Sequence, residues 1–181
     1  MIPTEKECYD LMDQYRMLDN VREHSIVVAE IVRAISQGLV TSGVQISVDK
    51  AVAGALLHDI AKTQCLQKGG DHAALGREIC LQHHLDEIAD IVAEHIWLKS
   101  YSLDGVYSEK EIVYYGDKRI LHTSVVSLDE RMHDIIDRYS RNDSRLTQLV
   151  RMNFNICQGI EKKLFKKLDF GPEQLADMVQ I

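Results

Sequence analysis

The sequence contains few prolines and no long apolar run. Only two prolines occur among its 181 residues, Pro3 and Pro172, and both stand where a helix is expected to begin. No apolar segment approaches the roughly 20 residues needed to span a bilayer. The first residues, MIPTEKECYD, also lack the basic and then apolar segments of a secretory signal. We therefore expect a cytoplasmic protein that does not enter a membrane.

An excess of positive charge is also missing. The formal net charge is −7 at pH 7, and partners rich in phosphate, such as nucleic acids and anionic membranes, select clustered lysine and arginine. This balance argues against an extended nucleic acid or a membrane surface as the partner. Small charged substrates stay open, because bound metal ions can reverse the sign of one pocket.

Cysteines are few and widely spaced. No C-x-x-C spacing, which is typical of zinc and redox sites, occurs in the sequence. We predict reduced, partly buried thiols of a cytosolic protein and no disulfide framework. The four residues are Cys8, Cys65, Cys80 and Cys157.

Helical patterns fill most of the sequence. A capping residue followed three positions later by glutamate predicts helix starts at Thr4, Asn20 and Ser108. The predicted helices cover 4–16, 20–41, 48–62, 72–84, 86–95, 109–121, 127–139, 144–167 and 172–180. No strand pair is predicted, and 99–107 is expected to form a mobile rim over a site. The prediction is an all-α, compact helical bundle with a single domain over 1–181.

The segment 51–62, AVAGALLHDIAK, carries the strongest chemical signal. It is a nearly all-apolar helical run that ends in His58 and Asp59. A histidine beside a carboxylate is costly to bury without partners, so metal ligation is a good explanation for this pair. Small residues such as Gly54 share a stripe with His58, and they would let a neighbouring helix approach closely.

Four further ligand-type residues lie on other predicted helices. His24 and His95 follow apolar stripes, His72 begins a helix, and Asp117 interrupts an apolar helix, where a carboxylate needs a partner. Taken singly, each histidine is more simply a hydrogen-bonded core residue, and Asp117 a partner of Arg119 or of a neighbouring helix. Taken together with the His-Asp pair, they favour a metal centre.

The order and context of these six residues resemble the HD-domain superfamily of metal-dependent phosphohydrolases, named for a His-Asp pair found here in LLHDIAK. The resemblance runs from about residue 20 to 131 and implies an all-α fold. It is to the two-metal, HDIG-type branch, with a further likeness to bacterial hydrolases of dinucleoside tetraphosphates. The Gly-Tyr-Pro signature of cyclic-dinucleotide phosphodiesterases is absent. We expect a metal-site core over about 20–131 and C-terminal packing helices over about 144–181.

The resemblance implies a role for each of the six residues. One metal ion would be bound by His24, His58, Asp59 and Asp117. A second would be bound by His72 and His95, with Asp59 bridging the two. The cofactors would be one or two divalent ions per chain, with iron or manganese first and magnesium, zinc, cobalt or nickel as alternatives.

This ligand set favours hydrolysis by metal-activated water. Two divalent ions roughly 3.5–4 Å apart lower the pKa of a bridging water and neutralise phosphate oxygens. We therefore predict catalytic roles for Asp59 and for Lys62, which lies one turn beyond the His-Asp pair and can hold a phosphate oxygen. Lys118 is a second substrate-binding candidate, and Arg131 is one by resemblance. Solvated lysines, and an ion pair of Arg131 with Asp129 or Glu130, are the simpler alternatives.

The remaining histidines are weaker candidates. His83 and His84 are expected at the surface, where the end of a helix suits cationic imidazoles. His122 is close enough in sequence to Asp117 to line the pocket, and His133 carries less signal.

The predicted helix over 144–167 has a long apolar stripe that we expect to pack against the bundle, with EKK and FKK as its solvated flank. A homodimer interface is the alternative. The stripe consists of Leu149, Met152, Ile156, Ile160 and Leu164.

The leading hypothesis is a metal-dependent phosphohydrolase that cleaves a phosphoester or phosphoanhydride of a nucleotide or another small phosphorylated metabolite. One alternative is a di-iron oxygenase of the same fold, because histidine and carboxylate ligands also suit iron. Another is a non-catalytic sensor that binds a metal or a nucleotide. The two lysines, for which phosphate binding supplies a reason, favour the hydrolase.

Overall fold

A computed structural model describes residues 1–140 and 142–179, and it shows an all-α helical bundle with one short hairpin, which confirms the predicted fold class. The elements are α1 (Glu5–Gln14), α2 (Asp19–Thr41), α3 (Val48–Leu57), α4 (Lys62–Lys68), α5 (His72–Gln82), α6 (Asp86–Glu94), α7 (Glu109–Lys118), β1 (Ile120–Leu121), β2 (Ser124–Val125), α8 (Leu128–Tyr139), α9 (Ser144–Phe165), a 3-10 turn (Pro172–Gln174) and α10 (Leu175–Met178).

Short polar side chains begin most of the long helices. Capping boxes, in which a cap hydroxyl and a glutamate three residues on satisfy each other's backbone N–H groups, start α1 at Thr4, α7 at Ser108 and α8 at Ser127. The box predicted at Asn20 is wrong. Helix α2 begins one residue earlier, after Leu18, and no side chain caps it.

Helices α2, α3, α6 and α7 form the centre of the bundle and bring the predicted ligands near one another. Two glycines permit close contact between these helices. A Cβ atom on Gly54 of α3 would lie 2.7 Å from the Ile91 side chain of α6, and one on Gly116 of α7 would lie 2.8 Å from the Val32 side chain of α2. The close approach predicted at Gly54 is confirmed.

Two predicted helix ends are wrong near the His-Asp pair and Asp117, and two elements there were not predicted. Helix α3 ends at Leu57 rather than 62, and the unpredicted helix α4 follows after a turn. Helix α7 ends at Lys118, so Asp117 lies in its last turn and not in mid-helix. The chain then makes an antiparallel hairpin, β1–β2, although no strand pair was predicted.

The buried and exposed residues of helix α9 differ from those predicted. Leu149 and Met152 of the predicted packing stripe are 41% and 50% exposed, whereas Ile160 and Leu164 are buried. Lys163, predicted on the solvated flank, is also buried, and its Nζ lies 2.7 Å from Glu111 Oε2. A buried ammonium needs such a partner.

Lys163 also holds the irregular segment 99–107. Its Nζ donates to the carbonyl of Ser102 at 2.7 Å and to that of Val106, and Tyr107 Oη donates to the Lys163 carbonyl at 3.1 Å. These contacts tie the segment to α9 instead of leaving it as a rim over the ligands. Within the described residues, no helix combines the length and the apolar character that crossing a bilayer requires.

Candidate metal centre

The His-Asp pair lies in a tight turn between α3 and α4. The amide of Ile60 donates to the carbonyl of Leu57, and that of Lys62 donates to the carbonyl of Asp59. This turn ends the helix and directs both side chains into the bundle, where His58 is 0% and Asp59 1% exposed. Burial of two ionisable neighbours is costly unless each finds a charged or hydrogen-bonding partner.

Two helices from opposite parts of the chain add the first set of partners. His24 Nε2 of α2 lies 3.0 Å from Asp117 Oδ1 of α7. His58 Nε2 lies 3.4 Å from Asp59 Oδ2 and 3.6 Å from the same Asp117 oxygen. One ligand atom each from His24, His58 and Asp59 lies within 4.8 Å of the others, a spacing that one cation can fill.

A second group lies on the other side of Asp59. His72 Nε2, at the start of α5, is 3.2 Å from Asp59 Oδ1, and His95 Nε2, just after α6, is 3.5 Å from that oxygen. The two imidazole nitrogens are 3.3 Å apart. This group also meets the 4.8 Å spacing. The structure therefore brings all six predicted ligands together, with Asp59 between the two groups.

Backbone carbonyls orient three of the four histidines. The Nδ1 atoms of His58 and His95 lie 2.6 Å from the carbonyls of Ala55 and Val92. Because a carbonyl only accepts, Nδ1 must carry the hydrogen, and the neutral imidazole then presents the Nε2 lone pair to the carboxylates. His24 Nδ1 makes the same contact at 3.0 Å with a carbonyl of the β1–β2 turn.

Two buried atoms of the centre have no hydrogen-bond partner among the described residues: His58 Nε2 and Asp59 Oδ1. A lone pair facing a carboxylate oxygen is repulsive, and unpartnered buried polar atoms are rare in folded proteins. A divalent cation between them would satisfy both. The donor set, imidazole nitrogen with carboxylate oxygen, fits zinc, iron and manganese.

Electrostatics keep the carboxylates charged. Burial opposes ionisation of Asp59, but the neighbouring histidines hold the pKa of its carboxyl well below the usual range. Asp117 follows the same pattern, and its pKa is held low chiefly by His24. Burial also opposes the charge on His58, yet Asp59 raises its pKa. The pKa of His95 is lowered by burial, so this imidazole is neutral.

Three cationic side chains line the same cavity. Lys62 Nζ lies 2.7 Å from Asp59 Oδ2, and although burial opposes its charge, Asp59 raises its pKa. Lys118 Nζ donates to the His95 carbonyl at 2.9 Å, and burial lowers its pKa. Arg131 Nη1 lies 2.7 Å from Asp134 Oδ2.

The ion pair of Arg131 differs from the one considered in the sequence analysis. It pairs with Asp134, one turn on, and not with Asp129 or Glu130. Its Nε is buried without a hydrogen bond within the described chain. Other atoms of the Arg131 side chain line the cavity.

The cavity beside the ligands has a volume of about 540 Å³, within the range of small-molecule sites. Asp59, His72, His95 and Asp117 lie on its polar side. Large apolar side chains from α8, α9 and the segment after α6 form the rest of its wall.

The carbonyl of His122 is a feature that sequence reasoning missed. It contacts His24 Nδ1, and the residue has a φ of 58°, in the left-handed region that non-glycine residues seldom adopt. The His122 side chain is exposed and contacts Arg138. The short β-hairpin therefore positions a ligand through its backbone, and no side-chain pattern in the sequence carries that signal.

The other histidines lie away from the ligand groups. His84 and His133 are exposed, whereas His83, predicted at the surface, is partly buried and lies 3.0 Å from Tyr15 Oη. All four cysteines are free, as predicted, and Cys8, Cys80 and Cys157 are buried.

Comparison with known proteins gives several similarities. An uncharacterized protein of Methanocaldococcus jannaschii is 25% identical over 151 residues, which cover 76% of this chain and 88% of the relative. The tRNA (cytidine(56)-2'-O)-methyltransferase of Thermoplasma volcanium is 34% identical over 113 residues, or 62% of this chain and 30% of that protein. Ribonuclease Y of Mycoplasma mycoides is 39% identical over 69 residues, or 38% of this chain and 15% of the relative.

The last two similarities thus correspond to parts of longer proteins, and no solved structure matches the chain. Residues 21–142 match the family described as HD domain. This segment includes both ligand groups, the His-Asp turn and the hairpin that orients His24. The chain belongs to the HD domain family.

Proposed function

We propose that the protein is a metal-dependent phosphohydrolase that cleaves a phosphoester or phosphoanhydride bond of a nucleotide or another small phosphorylated metabolite. The observation that carries the proposal is the pair of orphaned atoms, His58 Nε2 and Asp59 Oδ1, buried between two ligand groups. A centre with this donor set binds divalent ions, with iron or manganese as the first expectation.

Each of the two ligand groups would bind one metal ion. His24, His58, Asp59 and Asp117 would hold one ion, and His72 and His95 would hold the other with Asp59 between them. When bound, the ions would supply a water of lowered pKa and neutralise charge on the phosphate oxygens.

The chain's own groups would hold and orient the substrate. Lys62 is charged, partly exposed to the cavity and close to Asp59, so a short movement of its flexible stem would bring Nζ to a phosphate oxygen. Arg131 also lines the cavity, and its guanidinium would add a further positive charge for the phosphate. Lys118 already donates to the His95 carbonyl, so its first role is to fix that ligand, and its charge would add to the field on the phosphate.

The test is a turnover screen of protein loaded with manganese or iron against phosphomonoesters, nucleotides and dinucleoside polyphosphates. We expect phosphate release that disappears in Asp59→Asn, which keeps the side-chain shape but weakens both ligand groups. Asp90→Asn is the matched control, since Asp90 is exposed on α6. No turnover by the wild-type protein, or equal turnover by Asp59→Asn, would contradict the proposal. Oxygen consumption that depends on an organic substrate would instead favour the oxygenase.

A phosphodiester of RNA is a second candidate, favoured by the similarity to ribonuclease Y and to a tRNA methyltransferase. The net charge of −7 weighs against an extended RNA, whose backbone selects basic surfaces. Cleavage of a short oligoribonucleotide at a rate above that of any nucleotide in the same screen would favour this candidate.

A further inference from the structure

The cavity beside the ligands has two chemically different sides. Three cations line it: Lys62 at the start of α4, Lys118 at the end of α7 and Arg131 near the start of α8. Lys62 contacts Asp59, and Lys118 contacts the His95 carbonyl. The positive charge for a phosphate is therefore concentrated at the ligand side.

The rest of the cavity lining is largely apolar, and part of it is open to solvent. Six large apolar residues line the cavity although each is exposed, which is costly unless something covers them. They are Leu66, Ile96, Trp97, Tyr139, Leu146 and Leu149.

Asn153 is the polar side chain that α9 contributes to the cavity lining, and its amide is already hydrogen-bonded. Asn153 donates through Nδ2 to the Ile96 carbonyl at 2.9 Å and accepts from Tyr114 Oη at 2.6 Å. Among the described residues that line the cavity, α9 contributes no cation. A second phosphate, or the backbone of an RNA strand, would have to leave water for an apolar surface there, which is unfavourable.

We propose that the apolar side is a binding subsite for a flat, apolar ring joined to the phosphate, so that the substrate is an aryl phosphate or a nucleotide that carries one ring system at this end. The inference rests on the proposed function and narrows its substrate class. Trp97 and Tyr139 provide flat surfaces on which a ring can stack, and Leu149 adds an aliphatic contact.

The apolar residues and the metal ligands line one continuous cavity. The same cavity includes Asp59, His72 and the apolar residues, so the part of a substrate that is joined to a phosphate at the metal ligands can contact the apolar residues. A volume of about 540 Å³ accommodates a ring together with its phosphate. The α8–α9 pair thereby acts as the selectivity wall of the site.

The chain contains one tryptophan, Trp97, so its fluorescence reports directly on this subsite. The zinc-loaded full-length protein is titrated with phenylphosphonate and with methylphosphonate, which share the phosphonate group and differ in the ring. We expect phenylphosphonate to bind at least roughly tenfold more tightly, since burying a ring removes a large apolar area from water. Equal affinities, or no binding of either compound, would overturn the inference.

Two variants of exposed residues on α9 sharpen the test. Leu149→Ser is expected to reduce the preference for phenylphosphonate to about one third or less, because Leu149 lines the cavity. Met152→Ser is the control, since Met152 is exposed three residues along the same helix and is not among the cavity-lining residues. An unchanged preference in Leu149→Ser contradicts the inference.

A second copy of the chain is the other occupant to be tested. Sedimentation of the wild-type protein and of Leu149→Ser distinguishes it, because a dimer that dissociates in the variant would assign this surface to an interface and overturn the subsite. The proposed function fails separately. If no phosphate compound is turned over but the preference for phenylphosphonate is retained, the hydrolase is rejected and the subsite stands. If phosphate compounds are turned over without a preference for the ring, the subsite is rejected and the hydrolase stands.

Discussion

His24 Nε2 lies 3.0 Å from Asp117 Oδ1, although 93 residues separate the two in the chain. Helices α2 and α7 make this contact possible because Gly116, beside Asp117, lets the backbone of α7 approach Val32 of α2. The contact between His24 and Asp117 therefore depends on the absence of a side chain at Gly116.

Substitution at Gly116 should separate the two ligands. Gly116→Val is expected to lower the free energy of unfolding by about 1–3 kcal/mol, because even a Cβ atom there would lie 2.8 Å from the Val32 side chain. Metal affinity should fall as His24 and Asp117 move apart. Urea unfolding and a metal titration measure the two effects, and Val32→Ala in the same chain should restore part of both. A fully stable Gly116→Val protein with normal metal affinity would contradict this account.

Lys62 should act on the substrate and not on the metal. Lys62→Met keeps the aliphatic stem but removes the charge that lies 2.7 Å from Asp59, and we expect turnover to fall roughly tenfold to hundredfold with unchanged metal content. Lys68→Met, an exposed residue at the end of the same helix, should have no effect. Phosphate release and elemental analysis measure the two quantities. Loss of metal in Lys62→Met would assign the lysine to the centre instead.

Divalent-ion binding should strengthen as the pH rises. Asp59 raises the pKa of His58 in the metal-free protein in spite of its burial, so the protonated imidazole stabilises the fold at low pH, and this contribution is lost as the pH rises through the raised pKa. A metal ion needs the neutral imidazole, and below that pKa its affinity should drop about tenfold per pH unit. The pKa of His95 is lowered by burial and adds no such dependence.

Melting temperatures with and without zinc at several pH values test this expectation. The increase caused by zinc should become larger from acid to neutral pH. An increase that is the same at every pH would show that no ligand loses a proton on binding.

Thiol reactivity should distinguish the cavity from the core. Burial raises the pKa of Cys8, Cys80 and Cys157 to about 12, so these thiols should be inert in the native state. Cys65 is half-buried and lines the cavity. One equivalent of a thiol reagent should react in native protein and four in urea, and Cys65→Ser should remove the native reaction. Rapid modification of the variant would show that the core opens.

Helix periodicity was sufficient to predict the fold class and most helices, because apolar stripes determine which face is buried. It failed where the chain turns toward the centre. The pattern of the segment 51–62 continues past Leu57, but a straight helix would not direct His58 and Asp59 together into the bundle. The apolar pattern of this segment therefore does not reveal the turn over residues 58–61.

Two further errors have the same origin. Lys163 reads as a solvated charge, yet Glu111 lies opposite it and makes burial favourable. Leu149 reads as a packing residue, yet it lies along a cavity and stays exposed. Both assignments depend on which helix lies next to α9, and this information is absent from the pattern of α9 itself. The six candidate ligands could be chosen from sequence because ligand chemistry restricts them to a few residue types.

The number of ions per chain is the most direct test of the shared role of Asp59. Elemental analysis of protein saturated with manganese or zinc should give two ions per chain in the wild type, one in His72→Ala and fewer than one in Asp59→Asn. Among the described residues, Asp59 is the one that belongs to both ligand groups. Circular dichroism checks that each variant keeps its helices. Two ions retained in Asp59→Asn would contradict the account, since the carboxylate would then bridge nothing.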